Sequence, residues 1–137
     1  MANYKISDIE GIGPVFAEKL SKAGVRSVNK LLEKGATRTG RKDLANATGI
    51  DDSVILKWVN MADLYRVKGI GSEYSELLEK AGVDTVKELA TRKAENLQAK
   101  MAEVNSTGRP LVRQVPGLKR VQSWVANAKK LDPKVSY

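Results

Sequence analysis

Apolar positions along this chain of 137 residues recur at the spacing of a helical face, and turn residues interrupt them at regular intervals. Pro14 stands where its missing N–H costs a helix nothing, and Val15, Phe16, Ala17 and Leu20 follow as a stripe to about Lys22, ended by Ala23-Gly24. Ser27 caps a helix through Val28, Leu31 and Leu32 that stops at Gly35, and Thr39 is placed to cap a third running to Ala47. From Asp51 or Asp52, the series Val54, Ile55, Trp58, Val59, Ala62 and Leu64/Tyr65 continues without a break. The same order then returns: a helix from Ser72 to about Lys80, a stop at Ala81-Gly82, a cap at Asp84 or Thr85, and a helix through Val86 and Leu89. Another helix spans about Ala94 to Val104, and a last one runs through Val121, Trp124, Val125, Ala128 and Leu131. No segment alternates β-branched and polar residues over a strand's length, so the expected class is all-α.

The return is a duplication. Residues 9 to 31 laid on residues 67 to 89, an offset of 58, are identical at 11 of 23 positions. The shared positions include Gly11-Ile12-Gly13 with Gly69-Ile70-Gly71 and Ala23-Gly24-Val25 with Ala81-Gly82-Val83, so a whole supersecondary unit was copied. The helical pattern from Asp51 to Tyr65 leaves no room for a flexible linker before Gly69. One helix is therefore expected to close the first copy and open the second, holding the two in a fixed relation. The stretch Asn105-Ser106-Thr107-Gly108-Arg109-Pro110 is the longest polar, turn-rich segment and reads as a surface loop.

Composition narrows the chemistry. With no cysteine and no histidine, disulfides, thiolate metal sites and the commonest general base are excluded. Neither a metal nor a cofactor is expected. Lys68 is a conceivable Schiff-base lysine, but the sequence places no companion acid beside it, and the chain reads as a non-enzyme. No stretch approaches the roughly 18 apolar residues of a membrane span, and the expected location is cytoplasmic. The net charge of +8 calls for an anionic partner. It is unevenly spread: between Arg109 and Lys134 seven basic residues stand against Asp132 alone.

The run Ile-x-Gly-Ile-Gly-Pro-x-x-Ala, here Ile9, Gly11, Ile12, Gly13, Pro14 and Ala17, resembles the helix-hairpin-helix motif of DNA-repair, recombination and replication proteins. In that family two motifs commonly pair as a pseudo-symmetric domain with one degenerate hairpin. Thr48-Gly49-Ile50-Asp51 and Pro116-Gly117-Leu118-Lys119 look like the degenerate partners, with Asp51 and Lys119 in place of the second glycine. The resemblance thus implies two tandem lobes, 1–65 and 66–137, joined by a continuous helix. The run from Leu77 through Ala81-Gly82-Val83 to Leu89 is similar to the segment joining paired motifs in the C-terminal domain of the bacterial RNA polymerase alpha subunit. Over nearly its full length, with Leu31 to Thr37 and Lys57 to Asp63, the chain is similar to a family of small tandem helix-hairpin-helix proteins known only as a domain of unknown function.

By that resemblance the backbone N–H groups of Gly11, Ile12 and Gly13 and of Gly69, Ile70 and Gly71 bind phosphate oxygens, which a turn opening directly onto a helix is suited to do. Glu10 puts a carboxylate beside the first hairpin where Lys68 stands in the second, so the second is the better phosphate site. Lys119, Arg120, Arg113 and Arg109 add a basic surface in the C-terminal part. Arg41 and Lys42, with Arg38, stand at a helix start that the helix dipole does not favour for cations, and an anion there relieves them. Trp58, Trp124, Phe16 and Tyr74 are expected in the core. The expected function is sequence-independent binding of nucleic acid, DNA before RNA; the alternative is an architectural scaffold for a protein partner in DNA metabolism that keeps the fold without the grip.

Overall fold

The computed structural model describes residues 5–9 and 11–137, and Glu10 lies outside the described residues. The described residues form eight α-helices and no strand: α1 (Pro14–Lys22), α2 (Val28–Gly35), α3 (Arg38–Thr48), α4 (Asp52–Leu64), α5 (Ser72–Lys80), α6 (Val86–Ala90), α7 (Ala94–Ser106) and α8 (Leu118–Lys129). A short 3-10 turn, Ile6–Asp8, precedes them.

Two kinds of helix start recur. The first four N–H groups of a helix have no partner in the ladder, and α2, α3 and α6 satisfy one of them with a hydroxyl. Ser27 Oγ accepts from Lys30 N–H at 3.1 Å, Thr37 Oγ1 from Gly40 N–H at 3.1 Å, and Thr85 Oγ1 from Glu88 N–H at 3.2 Å. Thr37 therefore caps α3, two residues ahead of the Thr39 that the sequence suggested, because Thr37 has the extended conformation that aims its hydroxyl back at the first turn while Thr39 lies inside the helix. By contrast α1, α5 and α8 begin at Gly13, Gly71 and Gly117, which offer no side-chain cap. Among the described residues no side chain satisfies the first-turn N–H groups at these three starts.

The chain divides into two compact units, one of Met1–Asp63 with Lys134–Tyr137 and one of Leu64–Pro133. In the first, α1 and α2 pack on α3 and on the short turn. Ile6, Ile9, Ile12, Leu20, Val25, Val28, Leu31, Leu44, Ile50, Ile55, Trp58 and Val59 are buried. The segment Lys134–Tyr137 is fastened to this unit: Ser136 N–H donates to the Ala36 carbonyl at 2.8 Å, and Arg41 Nη2 donates to the Ser136 carbonyl at 2.7 Å. In the second unit α5 and α8 pack with α6 and α7 around Val67, Ile70, Leu77, Leu78, Val83, Leu89, Met101, Val121 and Trp124. Asn105 orders the following loop, its amide accepting from Leu111 and Val112 N–H and donating to the Val112 carbonyl.

Candidate functional site

Both glycine hairpins have the same backbone. Gly11 and Gly69 each sit at φ +93°, the left-handed region that favours glycine. Ile12 N–H donates to the Ile9 carbonyl and Ile70 N–H to the Val67 carbonyl, each at 3.1 Å. Both isoleucines are buried. They close the hairpins and do not face outward, which corrects the expectation that their N–H groups hold phosphate. The glycines differ: among the described residues nothing accepts from the N–H of Gly69 or Gly71. The α5 ladder begins with Ser75 N–H donating to the Gly71 carbonyl at 2.9 Å, which leaves Ser72, Glu73 and Tyr74 N–H unpaired by the ladder. The corresponding position in the first hairpin is Pro14, which has no N–H.

A tryptophan backs each hairpin. A Cβ added to Gly11 would meet Trp58 Nε1 at 3.4 Å, and one added to Gly69 would meet Trp124 Nε1 at 3.2 Å. The indoles are buried as expected; of their aromatic partners, Phe16 is exposed, while Tyr74 is partly buried against the second core. Phe16 lies against Trp58 with centroids 5.3 Å apart and rings tilted by 58°, and Tyr74 against Trp124 at 5.2 Å and 56°. Phe16 is 36% exposed and Tyr74 is half-buried. Each ring lies against its indole at the surface of its unit, and Tyr74 also lies against Arg120.

On the second unit that surface is an open cleft of about 650 Å³ lined by Lys68, Gly69, Lys119, Arg120, Ser123, Trp124, Ala126, Asn127 and Lys130. No carboxylate lines it, and the first-turn acid of α5, Glu73, lies outside it. Among the described residues none of the four cations makes an ion pair, whereas Lys22, Lys30, Arg92 and Lys100 elsewhere do. Arg120 is held by a neutral partner: its Nη1 donates to Tyr74 Oη at 3.0 Å, and its guanidinium lies 5.7 Å from the centre of the same ring. Lys68 N–H donates to Asn127 Oδ1 at 3.3 Å, tying the hairpin to α8. Four like charges in one concavity raise a positive potential that a bound anion relieves.

The structure thus brings together Lys68, Gly69, Lys119 and Arg120, with Gly71 at the adjoining start of α5. Arg109 and Arg113 are exposed on the loop before α8 and do not line the cleft, nor does Lys42, exposed on α3. Arg41 is a correction. It is only 4% exposed, and its guanidinium donates to the carbonyls of Gly35 at 2.9 Å, Ala36 at 3.2 Å and Ser136 at 2.7 Å. Burial pushes it below the ordinary arginine value. Its donors are spent on the end of α2 and on the C-terminal segment, so no anion is needed to relieve it.

The expected pairing of Asp51 with Lys119 also shifts. α8 takes Gly117 as its N-cap and carries Trp124 seven residues on, just as Trp58 follows Asp51 by seven. Asp51 therefore matches Gly117, and Lys119 projects from the first turn of α8. Asp51 caps α4, accepting Ser53 N–H and Ser53 Oγ at 3.0 Å each, and these bonds hold its carboxyl below the usual aspartate value. Ser123, Asn127 and Lys130 were missed as cleft residues. Their signal is present in the sequence: 119, 123, 127 and 130 recur at three- and four-residue intervals and so share a helix face.

Among the described residues no helix is long and apolar enough to cross a membrane. The family model described as Domain of unknown function (DUF4332) matches residues 10–131. No curated protein and no solved structure matches the chain.

Proposed function

The chain belongs to the DUF4332 family, and we propose that it is a non-enzymatic module that binds the phosphate backbone of nucleic acid, DNA before RNA, through the hairpin of its second unit. In this reading each unit is a paired helix-hairpin-helix lobe, with the glycine hairpins at the starts of α1 and α5 and their degenerate partners at the starts of α4 and α8. The observation that carries it is the cleft itself: four cations without acid partners among the described residues beside a turn in which the Gly69 and Gly71 N–H groups have no acceptor among those residues. Contacts of this kind read the backbone and not the bases, so binding is independent of sequence.

Fluorescence anisotropy with labelled duplex and single-stranded oligonucleotides of unrelated sequence tests this. At about 50 mM salt, where phosphate contacts are strongest, binding is expected, and log K should fall linearly with log salt by about 0.9 per phosphate neutralised on duplex. Absence of binding to every nucleic acid at that salt sinks the proposal.

A second reading, a protein-interaction scaffold, draws on the first unit. There Val15 is 66% exposed, and Phe16 and Val54 are each 36% exposed, with Val54 one turn ahead of Trp58 on α4. Under it, changes at Lys68 or Gly71 leave the set of proteins captured from cells unaltered, while Phe16→Ser with Val54→Ser abolishes the capture.

A further inference from the structure

The cleft on the second unit holds more positive charge than a passing backbone phosphate can neutralise. An internal phosphodiester brings one charge and two free oxygens, and its chain must leave on both sides. A terminal phosphomonoester brings close to two charges at neutral pH and three free acceptor oxygens, with one exit. Against these the cleft sets Lys68, Lys119, Arg120 and Lys130. The exposed Ser123 hydroxyl and the Asn127 amide nitrogen add donors, the Asn127 oxygen being engaged by Lys68 N–H. Donors therefore exceed what one diester accepts. The space is concave and about 650 Å³, within the range of pockets that enclose a small ligand. Arg120 is fixed in advance by Tyr74 Oη and its ring, so little of its side-chain freedom is lost on binding.

We propose that this cleft is a phosphomonoester site, taking the terminal phosphate of a nucleic-acid strand in preference to an internal phosphate. The proposal rests on the nucleic-acid reading above and refines it, since the same residues would hold both. The chemistry recognised is a dianionic phosphate on a sugar, which a free nucleotide also carries. The assignment to a strand end follows from the unpaired N–H groups of Gly69, Gly71 and the first turn of α5 next to the cleft, which can hold a second phosphate along the chain.

The test uses the full chain and one oligonucleotide sequence in four forms: a covalently closed duplex without ends, and linear duplexes ending in hydroxyl, 5′-phosphate or 3′-phosphate. Anisotropy at fixed salt should show at least one phosphorylated end bound about tenfold more tightly than the hydroxyl end, the worth of one added charge-assisted hydrogen bond. In Lys130→Met and Ser123→Val the phosphorylated end should lose more affinity than the closed duplex, so that its tenfold preference over the hydroxyl end falls to within about twofold. Inorganic phosphate and a nucleoside 5′-monophosphate, run as competitors against the unphosphorylated nucleoside, separate the sources. Competition by the monophosphate equal to that of the phosphorylated strand assigns the site to free nucleotides and overturns the strand-end form. Equal affinity for all linear ends, with the closed duplex still bound, overturns the inference and leaves backbone binding standing. Failure to bind the closed duplex, with phosphorylated ends still bound, removes backbone binding and leaves the phosphomonoester site.

Discussion

The two hairpin faces share a scaffold and differ in almost everything they display. Both have a glycine at φ +93°, a buried isoleucine closing the turn, and an indole behind it carrying a tilted ring at 5.2 to 5.3 Å. With Trp58 matched to Trp124 and Gly11 to Gly69, Lys68 stands where the first copy has Glu10, Arg120 where it has Val54, and Lys119 where it has Ser53. Lys130 stands where it has Leu64, and Tyr74 where it has Phe16. One face gathers cations, with a hydroxyl positioning its arginine; at the matching places the other shows Phe16, Ser53 and Val54. The duplicated backbone makes the fold, and the substitutions on one helix face decide what it can hold.

The largest expected effect tests what the faces share. Truncating either indole, by Trp58→Ala or Trp124→Ala, should cost about 3–5 kcal/mol, as for other buried aromatics, and chemical denaturation of the two variants should give similar losses. A loss confined to one of them would show that the two backings are not equivalent.

Next comes exchange of the faces. Lys68→Glu, Lys119→Ser and Arg120→Val together write the first surface onto the second unit. Affinity for duplex should drop at least about a hundredfold, from the loss of several bonds to charged groups, and the salt slope should flatten by about 0.9 for each phosphate contact removed. Stability should change little, since all three side chains are exposed. Unchanged affinity would move the nucleic-acid site elsewhere or abolish the proposal.

A smaller effect separates the two turns. Gly11→Ala should cost about 1–2 kcal/mol for a left-handed conformation, because its new Cβ would have ordinary clearance from Trp58 at 3.4 Å. Gly69→Ala should cost somewhat more, since Trp124 Nε1 at 3.2 Å must also give way. Thermal melts of the pair measure the difference.

The smallest is specific to α4. Asp51 is held below the usual aspartate value by its bonds to Ser53, so its stabilisation is fully present above about pH 4, the unfolded value, and is lost as pH falls through the lowered one. Asp51→Asn should lower the melting temperature slightly at neutral pH and narrow the gap to the wild type under acid conditions. No gap at any pH would mean that the cap contributes nothing.

How far the sequence reaches is clear from particular residues. The periodicity from Val54 to Leu64 and the stops at Gly24 and Gly82 locate helices because burial of an apolar stripe and a left-handed glycine are local requirements. The duplication, visible as Gly11-Ile12-Gly13 against Gly69-Ile70-Gly71, extends to the same turn geometry in both copies. Arg41 was misread because its solvent exposure depends on the Ser136 carbonyl, 95 residues away, and no local pattern encodes that contact. Phe16 was misread because its apolar character is also satisfied at the surface, against an indole.

The sequence by itself determined an all-helical chain, the doubled hairpin, the excess of positive charge and the contrast between Glu10 and Lys68, because helical periodicity, turn chemistry and charge are properties of neighbours along the chain. Only the tertiary structure decided which charges act together. It gathered Lys68, from a turn, with Lys119, Arg120 and Lys130, from a helix beginning some fifty residues later, while it spent Arg41 on backbone carbonyls. Convergence and burial depend on packing between distant segments.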